Sequence, residues 1–219
     1  ENGVRIAAVN GTFNMLEGEE ALREDLRRFR ALASVLDALS CDSLTLCTGS
    51  YSPKGMWVYD PRNQGQEAFD RAVCVTRELL DVARDYGLRL LVETEAFNAI
   101  CTVERTRRYL DALASERVKV ILDCANLFPA GTARVDNVRP TIARAFSLLG
   151  EDVALAHGKD VLQAPVPTFT APGLGIVDYP FFFAQLRQVG YQGSLILHGI
   201  KSQEELAPSM ERMRARMEA

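Results

Sequence analysis

Four residues of this sequence that can ligate a metal stand where a short apolar run ends: Leu91-Val92-Glu93, Ile121-Leu122-Asp123, Leu155-Ala156-His157 and Ile196-Leu197-His198. Carboxylate oxygens combined with neutral imidazole nitrogens suit Mn, Zn, Co or Fe(II) better than the all-oxygen environment favoured by Mg or Ca, although Mg stays among the candidates. The chain contains 2 histidines, and both occupy these positions. A lone strand-end histidine is more often a hydrogen-bonded structural residue. Two of them at equivalent positions, beside two carboxylates at equivalent positions, read instead as a divalent-metal site at Glu93, Asp123, His157 and His198.

The neighbours of these residues extend the site. Glu95 follows Glu93 by two, so on extended backbone it points the same way, as a second base or as a solvated loop acid. Asn126 can hydrogen-bond a substrate hydroxyl or a ligand. Lys159 can neutralise developing negative charge, and Asp160 can orient a ligand histidine; a loop ion pair is the plainer reading of these two. Trp57, the single tryptophan, walls a pocket or anchors its loop.

Such residues converge only if their runs are neighbouring parallel strands. The runs cover residues 4–9, 43–47, 88–92, 118–122, 153–156 and 194–197. They are apolar on both faces, as in a parallel sheet covered by helices. Between them lie stretches of helical period at 21–39, 68–86, 102–114, 138–149, 180–189 and 203–217; the first carries Leu22, Leu26, Phe29, Leu32, Leu36 and Leu39 as one stripe. Tyr86-Gly87, Leu149-Gly150 and Val189-Gly190 are helix stops, each preceding a strand. Six repeated βα units predict a single domain over residues 1–219, a parallel (β/α) TIM barrel. In that fold all strand C-termini, with the loops at 50–66 and 162–176, face the active site. A closed barrel needs eight strands. The first two βα units are therefore expected to be absent, in keeping with a start at Glu1-Asn2-Gly3 that runs straight into a strand. An open six-stranded doubly wound sheet is the alternative.

Bulk composition narrows the function. The 219 residues are 47% hydrophobic and carry a net charge of −4, without the basic face expected of a phosphate-backbone binder. Basic residues along 23–30 and 211–216 read as solvated helix faces. No apolar run approaches the roughly 20 residues of a membrane span. The 5 cysteines are odd in number and form no CxxC, so a reducing, cytoplasmic setting without disulfides is expected. Gly173-Leu174-Gly175 does not sit between a strand and a helix and reads as a tight loop rather than a dinucleotide fingerprint.

The sequence resembles the xylose isomerase-like TIM barrel superfamily, the sugar phosphate isomerase/epimerase group. The similar stretches are Gly11-Thr12-Phe13-Asn14-Met15, Leu44-Thr45-Leu46-Cys47-Thr48-Gly49, Val92-Glu93-Thr94-Glu95, Leu122-Asp123-Cys124-Ala125-Asn126, Ala156-His157-Gly158-Lys159-Asp160, Gly173-Leu174-Gly175-Ile176-Val177-Asp178-Tyr179 and Leu195-Ile196-Leu197-His198-Gly199. They run the length of the chain in family order, starting at the family's third strand. The resemblance implies a divalent metal held by a Glu, an Asp, a His and a final Glu. The first three carry over to Glu93, Asp123 and His157; the fourth position is His198, a departure. It also implies that two glutamates flanking the metal handle the proton in epimerases, of which this sequence keeps one.

The function expected is therefore a metal-dependent sugar isomerase or epimerase, or a related lyase, acting on a small sugar or polyol through an enediolate. Glu93 or Glu95 is the expected base and Lys159 the oxyanion support. The change of the fourth carboxylate to histidine makes the metal a stronger Lewis acid and less tightly held. No nucleic acid or membrane partner is expected, and a homo-oligomer is compatible with the reading. The alternatives are an inactive or fragmentary barrel serving as a binding module, and an abasic-site endonuclease, which needs more histidines and a basic groove.

Overall fold

The apolar runs become short strands. In a computed structural model that describes residues 3–218, the strands are β1 (Val9–Asn10), β2 (Ser43–Leu46), β3 (Arg89–Glu93), β4 (Val118–Asp123), β5 (Val153–Gly158), β6 (Asp160–Val161), β7 (Phe169–Thr170) and β8 (Leu195–Leu197). Six of them form one sheet in the order β1-β2-β3-β4-β5-β8, and β6 and β7 make a separate two-stranded ribbon. Pairing is parallel from β1 to β2, with Val9 opposite Leu44. It is parallel from β2 to β3, with Leu44 opposite Leu90, and from β5 to β8, with His157 opposite Ile196. The helices are α1 (Glu19–Ala33), α2 (Gln66–Asp85), α3 (Val103–Leu113), α4 (Val135–Leu149), α5 (Tyr179–Gln188) and α6 (Leu206–Glu218). Strand, helix and parallel strand in alternation make this a partial (β/α) barrel.

The chain divides into two compact units, Glu1–Val120 and Ile121–Ala219, with the division inside β4. In the first unit α1 buries Leu22 and Phe29 from the stripe read in the sequence, together with Ala33, and Phe29 meets Phe13 edge-on at 6.2 Å. α2 buries ten residues, Val75, Leu79 and Ala83 completely. Full burial of a side chain the size of valine or leucine is worth about 1.5–3 kcal/mol, so this helix is held by packing more than by propensity. The loop after β2 is tied down by Asn63, which accepts from Tyr51 N and donates to Ser50 Oγ and Phe97 O. Gly49 takes a left-handed φ of +79°, and a Cβ there would meet Asn14 Oδ1 at 2.0 Å.

In the second unit α4 and α5 share an aromatic seam, with Phe146 and Phe182 rings 5.7 Å apart. α5 starts where Asp178 accepts from Phe181 N at 3.0 Å, with Pro180 in its first turn, where a missing N–H costs nothing. Asp178 also pairs with Arg139 of α4 at 2.6 Å.

Three local expectations change. The first strand covers only Val9–Asn10 rather than 4–9. It is at one end of the sheet order and pairs on one side alone, and Val4 is exposed, so no partner extends the ladder. Gly150 is not a left-handed helix stop: its φ is −54° and it opens a 3-10 turn. Glycine is needed there for close packing, since a Cβ would meet Val189 Cγ1 at 2.8 Å. The loop at 162–176 contains β7 and is not wholly irregular. The stops at Gly87 and Gly190 do take positive φ. The opening pair Glu1-Asn2 lies outside the described residues. Among the described residues no helix is long and apolar enough to cross a membrane, and all 5 cysteines are free thiols.

Candidate metal centre

Asp123 is the last residue of β4 and its side chain is completely buried. Its two oxygens have different work. Oδ1 accepts from Ala125 N at 2.9 Å and so caps the 3-10 turn Cys124–Leu127, the ordinary use of an aspartate that ends a strand. Oδ2 makes no hydrogen bond. Around it stand three nitrogens: Lys159 Nζ at 3.3 Å, His157 Nδ1 at 3.8 Å and His198 Nδ1 at 3.9 Å.

Register brings the histidines together. His157 lies opposite Ile196 across β5 and β8, and His198 is two residues further on, so the two side chains share a face. The His198 amide donates to Gly158 O at 2.9 Å, prolonging the ladder past the end of β8. The rings sit 5.4 Å apart between centroids. One donor atom each from Asp123, His157 and His198 lies within 4.8 Å of the others. The His157 side chain is 13% exposed and that of His198 56%, so the cluster is reached from the His198 side.

These residues fit a divalent cation. Metal–ligand bonds of roughly 2.0–2.3 Å place neighbouring ligand atoms about 3–4 Å apart, and both imidazole nitrogens meet that spacing from Asp123 Oδ2. A buried carboxylate oxygen without a hydrogen bond is costly unless a cation compensates it. Burial alone would raise the Asp123 carboxyl; His198, then Lys159 and His157, outweigh burial and hold it below the usual carboxylate range. At 3.9 Å the His198 nitrogen is too far for a hydrogen bond and acts on Asp123 through space.

Lys159 is itself buried, at 6% exposed. Its ammonium donates to Asn126 Oδ1 at 2.6 Å and lies 4.2 Å from the centre of the Phe169 ring, a cation–π contact. Asn126 is thus joined to the centre through Lys159. Asp160, also fully buried, is turned to the backbone: it accepts from Val161 N and Gly173 N at 2.9 Å and from Val177 N at 3.0 Å. Next to it the Tyr179 hydroxyl donates to Lys159 O at 2.7 Å.

Glu93, Glu95 and Trp57 belong to the unit Glu1–Val120. Glu93 ends β3 and Glu95 follows in the loop, its amide donating to Ile100 O. Both carboxylates are near Cys47, whose thiol is pushed up to about 12, first by burial and then by Glu95 and Glu93, against a lowering contact from Gly49. The Cys47 thiol donates to Asn98 Oδ1 at 2.9 Å. Trp57 is half exposed in the long loop after β2.

Sequence and fold comparisons give the family and the fold. The model of the xylose isomerase-like TIM barrel family matches residues 1–216. This chain belongs to that family. None of the curated proteins matches it in sequence. Among solved structures it is similar to the 3-keto-D-glucoside 4-epimerase YcjR from E. coli, with 20% identity and a TM-score of 0.71 over 97% of this chain and 80% of that one. It is also similar to the IOLI protein with a binding zinc atom, with 16% identity and a TM-score of 0.70 over 97% of this chain and 74% of that one. A third is a xylose isomerase-like TIM barrel protein from Mycobacterium smegmatis in complex with magnesium, with 17% identity and a TM-score of 0.71 over 99% of this chain and 73% of that one.

Within this xylose isomerase-like barrel, sequence reasoning missed Phe169. It stands on β7, a strand of two residues paired with β6 through Val161. Nothing periodic marks so short a strand. The one available signal is Asp160 followed by the glycine-rich stretch Gly173-Leu174-Gly175, whose glycines let the backbone close on a carboxylate.

Proposed function

We propose that this barrel is a divalent-metal-dependent isomerase or epimerase. Its substrate is a small polyhydroxy carbonyl compound, a sugar or polyol derivative, and the reaction moves a proton through an enediolate. The observation that carries the reading is the donor set of Asp123, His157 and His198 around a buried carboxylate oxygen that lacks a hydrogen bond. Glu93 is the fourth ligand of this reading. A divalent cation held there would supply Lewis acidity to a carbonyl oxygen and the hydroxyl on the adjacent carbon, which acidifies the proton on that hydroxyl-bearing carbon. Glu93 or Glu95 takes that proton as general base. Lys159, held beside Asp123, faces the oxyanion that develops. Asn126 and Asp160 keep Lys159 and its loop in place on the substrate side, and Trp57 walls the pocket. Similarity to a sugar epimerase and to barrels holding zinc or magnesium supports the reading.

The test is elemental analysis of the purified protein, followed by assays against ketose and inosose panels with Mn, Co, Zn, Fe(II) and Mg, with Asp123→Asn as control. Turnover that needs a metal and disappears in the control is expected. A full-length chain that turns over nothing with any of these metals refutes the proposal. A folded protein that takes up no metal identifies a binding module instead.

A further inference from the structure

We propose that Lys159 is a second, resident cation of this centre, which shares Asp123 with the metal and loosens the protein's hold on it. This rests on the metal reading given above and goes beyond it, because it assigns a residue outside the ligand set control over metal affinity.

Within the unit Ile121–Ala219 the three metal donors bring one negative charge, that of Asp123, since neutral imidazole is the form that binds metal. Lys159 Nζ lies 3.3 Å from Asp123 Oδ2, the oxygen that also faces both histidines. A metal bonded to that oxygen at roughly 2.0–2.2 Å is no more than about 5.5 Å from the ammonium. One carboxylate then serves two cations.

A flexible lysine would avoid the conflict by swinging into water. This one is held. Its ammonium donates to Asn126 Oδ1 at 2.6 Å and sits 4.2 Å from the Phe169 ring centre. Its backbone carbonyl accepts from the Tyr179 hydroxyl. Its stem packs so closely on Gly199 that a Cβ there would meet Lys159 Cγ at 3.1 Å. Retreat would break a short charged hydrogen bond and empty a cation–π contact. The two cations therefore coexist, and their repulsion is weakly screened because Lys159 and Asp123 are both buried.

The consequence is a trade. The metal is bound less tightly than its ligands alone would bind it. Oxygen atoms bound between the two cations carry negative charge more readily, which suits an enediolate. Repulsion across about 5 Å, discounted for the open His198 side, predicts at least about a tenfold loss of affinity relative to a neutral side chain of the same size.

The experiment is a Co(II) titration of the full chain at pH 8, where reference imidazole is neutral, read by visible absorption and by competition with a chromophoric chelator. Lys159→Met is expected to bind Co(II) at least about tenfold more tightly than the unmodified protein. Lys159→Arg, which keeps the charge, is expected to stay within about threefold of it. If the unmodified protein binds Co(II) and Lys159→Met binds equally or more weakly, the inference is overturned while the metal reading stands. If neither protein binds, both fall. If only Lys159→Met binds, both are supported. Should Lys159→Met fail to fold, Phe169→Leu frees the ammonium without touching a ligand. It is expected to tighten binding about threefold, and unchanged or weaker binding then counts as refutation.

Discussion

Replacing Asp160 with alanine tests how the loop over the candidate centre is held. Its carboxylate is fully buried and accepts from Val161 N, Gly173 N and Val177 N at 2.9, 2.9 and 3.0 Å. Val161 is the next residue, but Gly173 and Val177 lie 13 and 17 residues on, so one side chain closes the segment that carries Phe169. A hydrogen bond to a charged group is worth about 1.5–3 kcal/mol, and a buried donor left alone costs about 1–3 kcal/mol. Three such bonds set a ceiling that a relaxing, hydrated loop will not reach. Asp160→Ala should cost about 3–5 kcal/mol of stability. Asp160→Asn keeps one acceptor oxygen for Val161 and Val177 and turns a donor toward Gly173, for about 1.5–3 kcal/mol. Urea denaturation gives the loss, and amide exchange should show Gly173 and Val177 unprotected in the alanine variant. A loss below about 1 kcal/mol, with both amides still protected, would refute the clamp and mean that the loop is held by its other contacts.

Further expectations concern the metal and the packing around it. Chelation of a protein equilibrated with metal at about 100 times its Kd should remove about 2.7 kcal/mol of stability, a fall in Tm of roughly 5–10 °C for a chain of this size; an unchanged melt argues against a bound metal. His198→Glu adds a negative charge to the donor set, so metal should bind more tightly and the preference should move from Zn toward Mn and Mg, as read by competition titration. Gly175→Ala should cost about 1–3 kcal/mol, because a Cβ there would meet Asp160 Oδ1 and Val161 O at 2.3 Å; urea melts indistinguishable from the parent would contradict this. A thiol reagent at pH 8 should label exposed Cys74 quickly and leave Cys47 untouched, since burial pushes that thiol up to about 12. Rapid labelling of Cys47, located by peptide mass spectrometry, would show the surroundings of that thiol to be more open than its packing implies.

Much of this architecture is legible in the sequence. Runs apolar on both faces located the strands of the six-stranded sheet, and α2 follows its predicted stripe to within two residues. The strand-end positions of Asp123, His157 and His198 were legible for the same reason: burial leaves a local, periodic trace, and a polar residue that ends an apolar run stands out against it. What the sequence could not determine is pairing. That His157 and His198 stand side by side depends on His157 lying opposite Ile196, and register is a property of two segments, not of either one. The approach of both histidines and Lys159 to Asp123 Oδ2, the seating of Lys159 between Asn126 and Phe169, and the grip of Asp160 on the amides of Gly173 and Val177 are likewise contacts between separate stretches of the chain. Composition and spacing determined which residues were available to hold a metal. Tertiary structure decided which of them meet, because long-range contacts leave no period in the chain that makes them.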